Sequence, residues 1–310
     1  MAGLTPDQVA EVLVHGDLEI VGRMRYSSNG AFFVQACRDG VEVPAVYKPR
    51  RGERPLWDFP DGTLFRREVA TCVLSDALGW GVVPVTVRRV DGPLGEGALQ
   101  RFVDHDPEEH YFTLLHGNED RFRQFAVLDI LANNTDRKGG HCLHDLADDT
   151  VLGIDHGLTF HPMWKLRTVI WDFADEPVPD DLLDDVRRVA HEAEHGALGD
   201  ALAELLSPPE LAAFALRADE LLRDGRRCVA TPAARGRSGS RGRERGSGRR
   251  LAVSEAYGAE AAVVRTARRR RGRRWCGRSG SGSRRSARGG GSATAAIGRR
   301  PGWWCRRCRR

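Results

Sequence analysis

Two aspartates carry the clearest chemical signal in this chain. Asp136 follows Asn133-Asn134-Thr135 and precedes Arg137, and Asp155 follows Gly153-Ile154 and precedes His156-Gly157. Each ends an apolar run, and a turn-rich segment separates them. Phosphoryl transfer needs this division of labour. One carboxylate in a loop orients or deprotonates an attacking hydroxyl, and a second, after a strand, ligates the metal that bridges nucleotide phosphates. Asp136 is thus the expected catalytic residue, with Arg137 beside it to brace the loop or bind phosphate. Asp155 is the expected metal ligand, because cations on phosphates take hard oxygen donors. His141 lies five residues after Asp136, where a second metal-holding side chain is expected, although imidazole favours ions softer than Mg2+.

Such a site also needs a fixed cation. Lys48, one of three lysines among 48 basic residues, ends a strand-like run and is placed to bridge nucleotide phosphates. Glu68, in a helical segment, is the expected partner. The polar tip 27–30 offers Ser28 and Asn29, whose hydroxyl, amide and backbone N–H groups suit phosphates. Gln100 and Phe102 fall in a segment read as an inter-lobe connector, whose backbone would hydrogen-bond adenine.

The elements that position these residues follow from periodicity. Thr5 caps a helix to about residue 14 with Val9, Val12 and Leu13 on one face. Strands over 18–24 and 31–36 flank the polar tip as a hairpin. A third strand over 43–47 leads into a Pro/Gly/Arg-rich connection at 50–62. Helical spacing over 63–78 stops at Gly79, and strands are expected over 82–90 and 97–103. A helix over 119–131 feeds the Asp136 loop. Short strands at 142–144 and 151–154 bracket an acidic turn, and helices follow over 180–195, 199–206 and 209–222. Strands first and helices last predict an α+β, two-lobed fold. A small β-rich lobe with its connector spans 1–103, a larger helical lobe spans 104–225, and ligand lies in the cleft between them.

Charge divides the chain in the same way. Residues 1–225 hold 22 Lys and Arg against 40 Asp and Glu, whereas 226–310 hold 26 Arg and 3 Glu. The basic balance therefore describes the tail, and no nucleic acid is expected on the acidic body; non-specific binding by the tail remains open. The tail is Arg, Gly, Ser and Ala with little hydrophobic periodicity, which predicts disorder, or a frameshifted reading of GC-rich DNA. Cys305 and Cys308 make half a zinc site with no second pair. No stretch approaches the roughly 20 apolar residues of a membrane span, and the first residues lack a signal-peptide pattern. Cys37, Cys72 and Cys142 show no metal-type spacing, which suits a reducing cytoplasm.

Several motifs together resemble a known family. They are Val46-Tyr47-Lys48-Pro49, the run from Gly52 to Gly62, Arg67-Glu68-Val69-Ala70, the run from Gly79 to Pro84, the run from Asn133 to His141, and Ile154-Asp155-His156-Gly157. Over about residues 15–225 the chain is similar to the phosphatidylinositol 3-/4-kinase-like branch of the protein-kinase-like superfamily, especially an actinobacterial group within it. HipA-like bacterial protein kinases and secretory-pathway kinases share the outline. The resemblance implies ATP and Mg2+ (or Mn2+) as cofactors, Lys48 on the phosphates, Glu68 as its partner, Asp136 as catalytic residue and Asp155 on the metal. Lipid kinases usually show Asp-Arg-His-x-x-Asn and Asp-Phe-Gly; here the runs are Asp-Arg-Lys-Gly-Gly-His and Asp-His-Gly. The expected function is transfer of a γ-phosphoryl group to a hydroxyl of a lipid, protein or small molecule. Two alternatives are a pseudokinase that holds nucleotide without turnover, and a metallohydrolase built on His141, His156, His161 and the two aspartates.

Overall fold

The computed structural model describes residues 3–24, 27 and 29–225. Ser28 and the segment 226–310 lie outside the described residues, together with the expectations attached to them.

The chain opens with α1 (Pro6–His15), capped by Thr5, whose hydroxyl accepts the Gln8 N–H while the Gln8 side chain accepts the Thr5 N–H. Strands β1 (Asp17–Arg23), β2 (Phe32–Arg38), β3 (Val41–Pro49), β4 (Thr86–Arg89) and β5 (Gly97–Arg101) form one antiparallel sheet in the order β1-β2-β3-β5-β4. Val9, Val12 and Leu13 of α1 pack on one face against Val43, Ala45 and Tyr47 of β3. Burial of each of the larger side chains contributes roughly 1.5–3 kcal/mol. Alternation along β3 then turns Val46 and Lys48 to the opposite face, where Val46 meets Phe33 and Phe102. Packing under α1 thereby fixes which way Lys48 points.

The expected strand over 82–90 is shorter than its apolar run. Val82 and Val83 are buried in the main core instead, and Pro84 has no N–H for a ladder, so pairing with β5 begins at Thr86.

Helix α2 (Leu64–Leu78) crosses between sheet and helical lobe, and most of its surface is buried. Its N-terminus is capped from outside. Glu53 accepts the N–H groups of Leu64 and Phe65 at 3.1 and 2.8 Å, satisfying two of the four donors a helix start leaves open. Its C-terminus stops at Gly79, φ 78°, a left-handed position glycine fills without strain.

The second lobe comprises α3 (Tyr111–Leu114), α4 (Glu119–Leu131), the hairpin β6 (Cys142–Asp145) and β7 (Thr150–Gly153), then α5 (Asp180–His195), α6 (Ala197–Ala203) and α7 (Pro208–Asp224). The α+β, two-lobed arrangement expected from the order of elements is the one adopted. Among the described residues no helix is long and apolar enough to cross a membrane.

Helix α2 is tied to the helical lobe by polar contacts. Arg67 forms a buried ion pair with Glu210 of α7, and the hydroxyls of Thr71 and Thr159 lie 3.1 Å apart. Glu210→Ala would leave the Arg67 guanidinium buried without its carboxylate. Urea denaturation is expected to show a loss of about 3–5 kcal/mol. A change under about 1 kcal/mol, the worth of a solvated pair, would contradict this role.

Candidate active site

Lys48, Glu68, Asp155 and His141, four of the expected residues, are brought together. Lys48 Nζ stands between two carboxylates, 2.5 Å from Glu68 Oε1 and 3.0 Å from Asp155 Oδ1. The second oxygen of Glu68 accepts the backbone N–H of His156 at 3.0 Å, so one carboxylate holds both the lysine and the turn after Asp155. That turn is set by two further constraints. Ile154 N–H donates to the His141 carbonyl at 3.0 Å, and Asp155 adopts φ 63°, a left-handed conformation aspartate tolerates better than most residues.

The two carboxylates on Lys48 respond oppositely. Lys48 holds the Asp155 carboxyl well below the usual range, whereas burial pushes Glu68 up against the pull of the same lysine. The charge of Lys48 dominates at Asp155, whose side chain is 51% exposed, and burial dominates at Glu68, whose side chain is 4% exposed. Asp155 is therefore the ionised, outward-facing carboxylate, and Glu68 the internal tether.

Asp136 sits on a loop welded at several points. Its Oδ2 is 2.6 Å from Lys138 Nζ, and its N–H donates to Asn134 Oδ1 at 3.0 Å. The Asn134 amide donates in turn to Asp129 at 2.9 Å. Asn133, at φ 46°, donates to the carbonyls of His161 and Met163 and accepts the Lys165 N–H. Backbone bonds between Arg167 and both Asn134 and Arg137 bracket Asp136.

Arg137 braces the loop and is sequestered from phosphate. It is buried, pairs with Asp129 at 2.8 Å, and donates to His156 Nε2 at 2.8 Å. Burial would lower the charge on such a guanidinium, but Asp129 keeps it protonated. Of the two roles expected for Arg137, its partners supply only the bracing one.

His141 lies beside Asp155, with Nε2 3.4 Å from Oδ2. Its Nδ1 accepts the Lys138 N–H at 3.4 Å, which places the proton of the neutral ring on Nε2. The Nε2 atom is buried, has no hydrogen-bond partner and faces Asp155. Burial pushes its pKa down to about 4, below the ordinary 6.5. An unfolded chain therefore binds the proton first as pH falls. The contribution of His141 to stability is complete above about pH 6.5 and declines toward pH 4, and His156, also held low by burial, adds with the same sign. His141→Asn is expected to flatten the pH dependence of urea midpoints in this window; an unchanged slope would contradict the shift.

Other expected contacts are absent or redirected. Asn29 accepts the Arg54 N–H at 3.0 Å, so its side chain fastens the hairpin tip to the 50–62 loop. Gln100 lies within β5 between Val46 and Thr86, with its amide on Thr86 Oγ1 at 2.8 Å. It is part of the sheet, in the strand expected over 97–103. Phe102 donates its N–H to the Pro44 carbonyl and stands edge-on to Phe33 with centroids 5.2 Å apart, which makes it apolar wall. The histidines do not converge either: His156 meets Arg137, and His161 meets the Asp58 carbonyl and Lys165. Among the described residues no three His, Cys, Asp or Glu side chains gather to hold a metal.

Residues overlooked by sequence reasoning are those that hold the loop, namely Asp129, Asn133 and Asn134, together with Lys138. The rarity of lysine was a usable signal. All three lysines are paired in or beside this site: Lys48 with Glu68 and Asp155, Lys138 with Asp136, and Lys165 with Asp58.

The chain is 39% identical over 251 residues to Protein Rv2133c of Mycobacterium tuberculosis, covering 70% of this chain and 89% of that protein. The chain belongs to the family of that mycobacterial protein. No family model matches it. Similar solved structures are the Golgi casein kinase with Mn/ADP bound (16% identity, TM-score 0.44, 72% of this chain and 76% of that one) and the Helicobacter pylori proinflammatory kinase CtkA (13%, 0.43, 70% and 94%). A third is hydra Fam20 with sugar (14%, 0.46, 71% and 87%).

Proposed function

We propose that the chain is an ATP-dependent phosphotransferase acting on a hydroxyl acceptor. The observation that carries this reading is the placement of Lys48 between Glu68 and Asp155, with the Lys138–Asp136 pair on the neighbouring loop. In the proposed reaction the acceptor oxygen bonds to the γ-phosphorus as its proton passes to Asp136. The bond from that phosphorus to the β,γ-bridging oxygen breaks, and ADP leaves with the electron pair. Lys48 neutralises phosphate charge, Glu68 holds Lys48 in place, and Lys138 keeps the Asp136 carboxylate turned toward the acceptor.

The residues fit a hard divalent cation. Asp155 offers an ionised, half-exposed carboxylate, and a cation with few protein ligands completes its shell with phosphate oxygens and water, the usual behaviour of Mg2+. Asp155 would hold the ion, which when bound offsets phosphate charge; Mn2+ would be accepted by the same oxygen donors. Kinship with the phosphatidylinositol 3-/4-kinase-like branch is part of this proposal, and the acceptor is to be sought among lipids, proteins and small molecules alike.

The test is ADP release and phosphoryl transfer from labelled ATP across an acceptor panel, with Lys48→Met as control. Turnover that disappears in Lys48→Met supports the proposal. ATP binding with no transfer and no hydrolysis would replace it with the nucleotide-binding pseudokinase. Absence of both binding and turnover would sink both.

A further inference from the structure

We propose that the loop between β3 and α2 forms an anion subsite for the phosphoryl acceptor, which is a hydroxylated phosphomonoester. The inference rests on the phosphotransferase reading above. The loop encloses a cavity of about 430 Å³ whose walls include Arg50, Arg51 and Arg54 beside Leu56, Phe59 and Leu64. Arginine as such means little in a chain with three lysines and 45 arginines. What sets these three apart is clustering on one wall. Arg67, Arg88, Arg89, Arg101, Arg123 and Arg137 all have carboxylate partners. Among the described residues Arg50, Arg51 and Arg54 have none; Arg66, Arg121, Arg167 and Arg217 also lack a carboxylate partner but do not line this cavity.

Two carboxylates share the wall, Glu53 and Asp61. Both oxygens of Glu53 are committed to the N–H groups of Leu64 and Phe65, and Asp61 forms no ion pair with the three arginines among the described residues. The three arginines are exposed, so their donors are open to an incoming ligand, and a phosphomonoester supplies the charge and the oxygens that guanidinium donors match.

The loop is also built to keep its shape. Gly30 N–H donates to the Gly52 carbonyl at 2.8 Å, and Arg54 N–H donates to Asn29. At Gly62, φ 69°, a Cβ would fall 2.5 Å from Arg50 Nε, so glycine there lets the Arg50 side chain lie across the loop. The cavity adjoins the phosphate cleft. Its wall residue Leu64 lies 3.6 Å from where a Cβ on Gly157 would stand, two residues beyond Asp155, and the next turn of α2 carries Glu68. An acceptor anchored here by its phosphate stands beside the cleft that would hold ATP.

Soluble sugar phosphates and lipid headgroups present the same phosphomonoester, and the test has an arm for each. The full chain, saturated with ADP and Mg2+, is titrated calorimetrically with sn-glycerol 3-phosphate, and in parallel sedimented with phosphatidylcholine vesicles with and without phosphatidic acid. Saturable binding in either arm is expected, weakened at least about tenfold by combined Arg50→Gln, Arg51→Gln and Arg54→Gln, with ADP affinity unchanged. Arg54→Gln alone, which keeps the backbone bond to Asn29, should show a smaller loss in the same direction and guards against misfolding of the triple variant. Binding in neither arm, equal binding by the triple variant, or displacement of the probe by ADP would overturn the subsite. Probe binding by a chain that binds no ADP would spare the subsite and sink the phosphotransferase reading; ADP binding without probe binding would do the reverse.

Discussion

Asp136→Asn is expected to bind ATP as the parent chain does and to lose turnover by about 10²–10⁴-fold, the range for removal of a positioned acid–base group. The separation follows from the partners of Asp136. Its carboxylate meets Lys138, and its backbone N–H meets Asn134; it shares no bond with Lys48, Glu68 or Asp155. An amide of the same shape leaves the loop's other bonds in place, because those run through Asn133, Asn134 and Asp129. Calorimetric titration with ATP and a measurement of ADP release on the same preparation check both halves. Lost ATP binding with turnover retained at saturating ATP would assign Asp136 to the nucleotide.

The second large effect is expected at Arg137, and it falls on the fold. Its side chain is 0% exposed and that of Asp129 is 1%. Arg137→Ala leaves the Asp129 carboxylate with Asn134 and Thr168 alone and removes the donor to His156 Nε2. Breaking a buried pair in this way costs about 3–5 kcal/mol, and an unpaired buried acceptor adds to it. Urea denaturation should show the loss. Combining Asp129→Asn with Arg137→Met should recover part of it, because the uncompensated charge is then gone. If Arg137 instead gripped phosphate, Arg137→Ala would weaken ATP binding at unchanged stability.

The contrast between these neighbours shows what was legible in the sequence. The order Lys48, Glu68, Asp136, Asp155 was readable, because strand alternation and helix periodicity are local and fix which residues emerge at element ends. The helices Glu119–Leu131 and Asp180–His195 matched their expected bounds for the same reason. What escaped was pairing across distance. Nothing local says that Glu53 caps α2, that Asp129 binds Arg137 from the end of a helix, or that Asn133 reaches carbonyls 28 and 30 residues on. Gln100 falls in the expected strand over 97–103, but its partner Thr86 on the neighbouring strand came only from the register. Spacing located the His141 ring but not its burial or its approach to Asp155, which depend on the turn after β7.

The central claim is that Lys48, Glu68 and Asp155 make one metal-dependent nucleotide site. Calorimetric titration of ATP with Mg2+, and separately with Mn2+, into the full chain and into Asp155→Asn tests it most directly. The account predicts saturable binding by the parent chain that needs the metal and is lost in Asp155→Asn. Equal binding by the two proteins, or none by the parent chain under either metal, would contradict it.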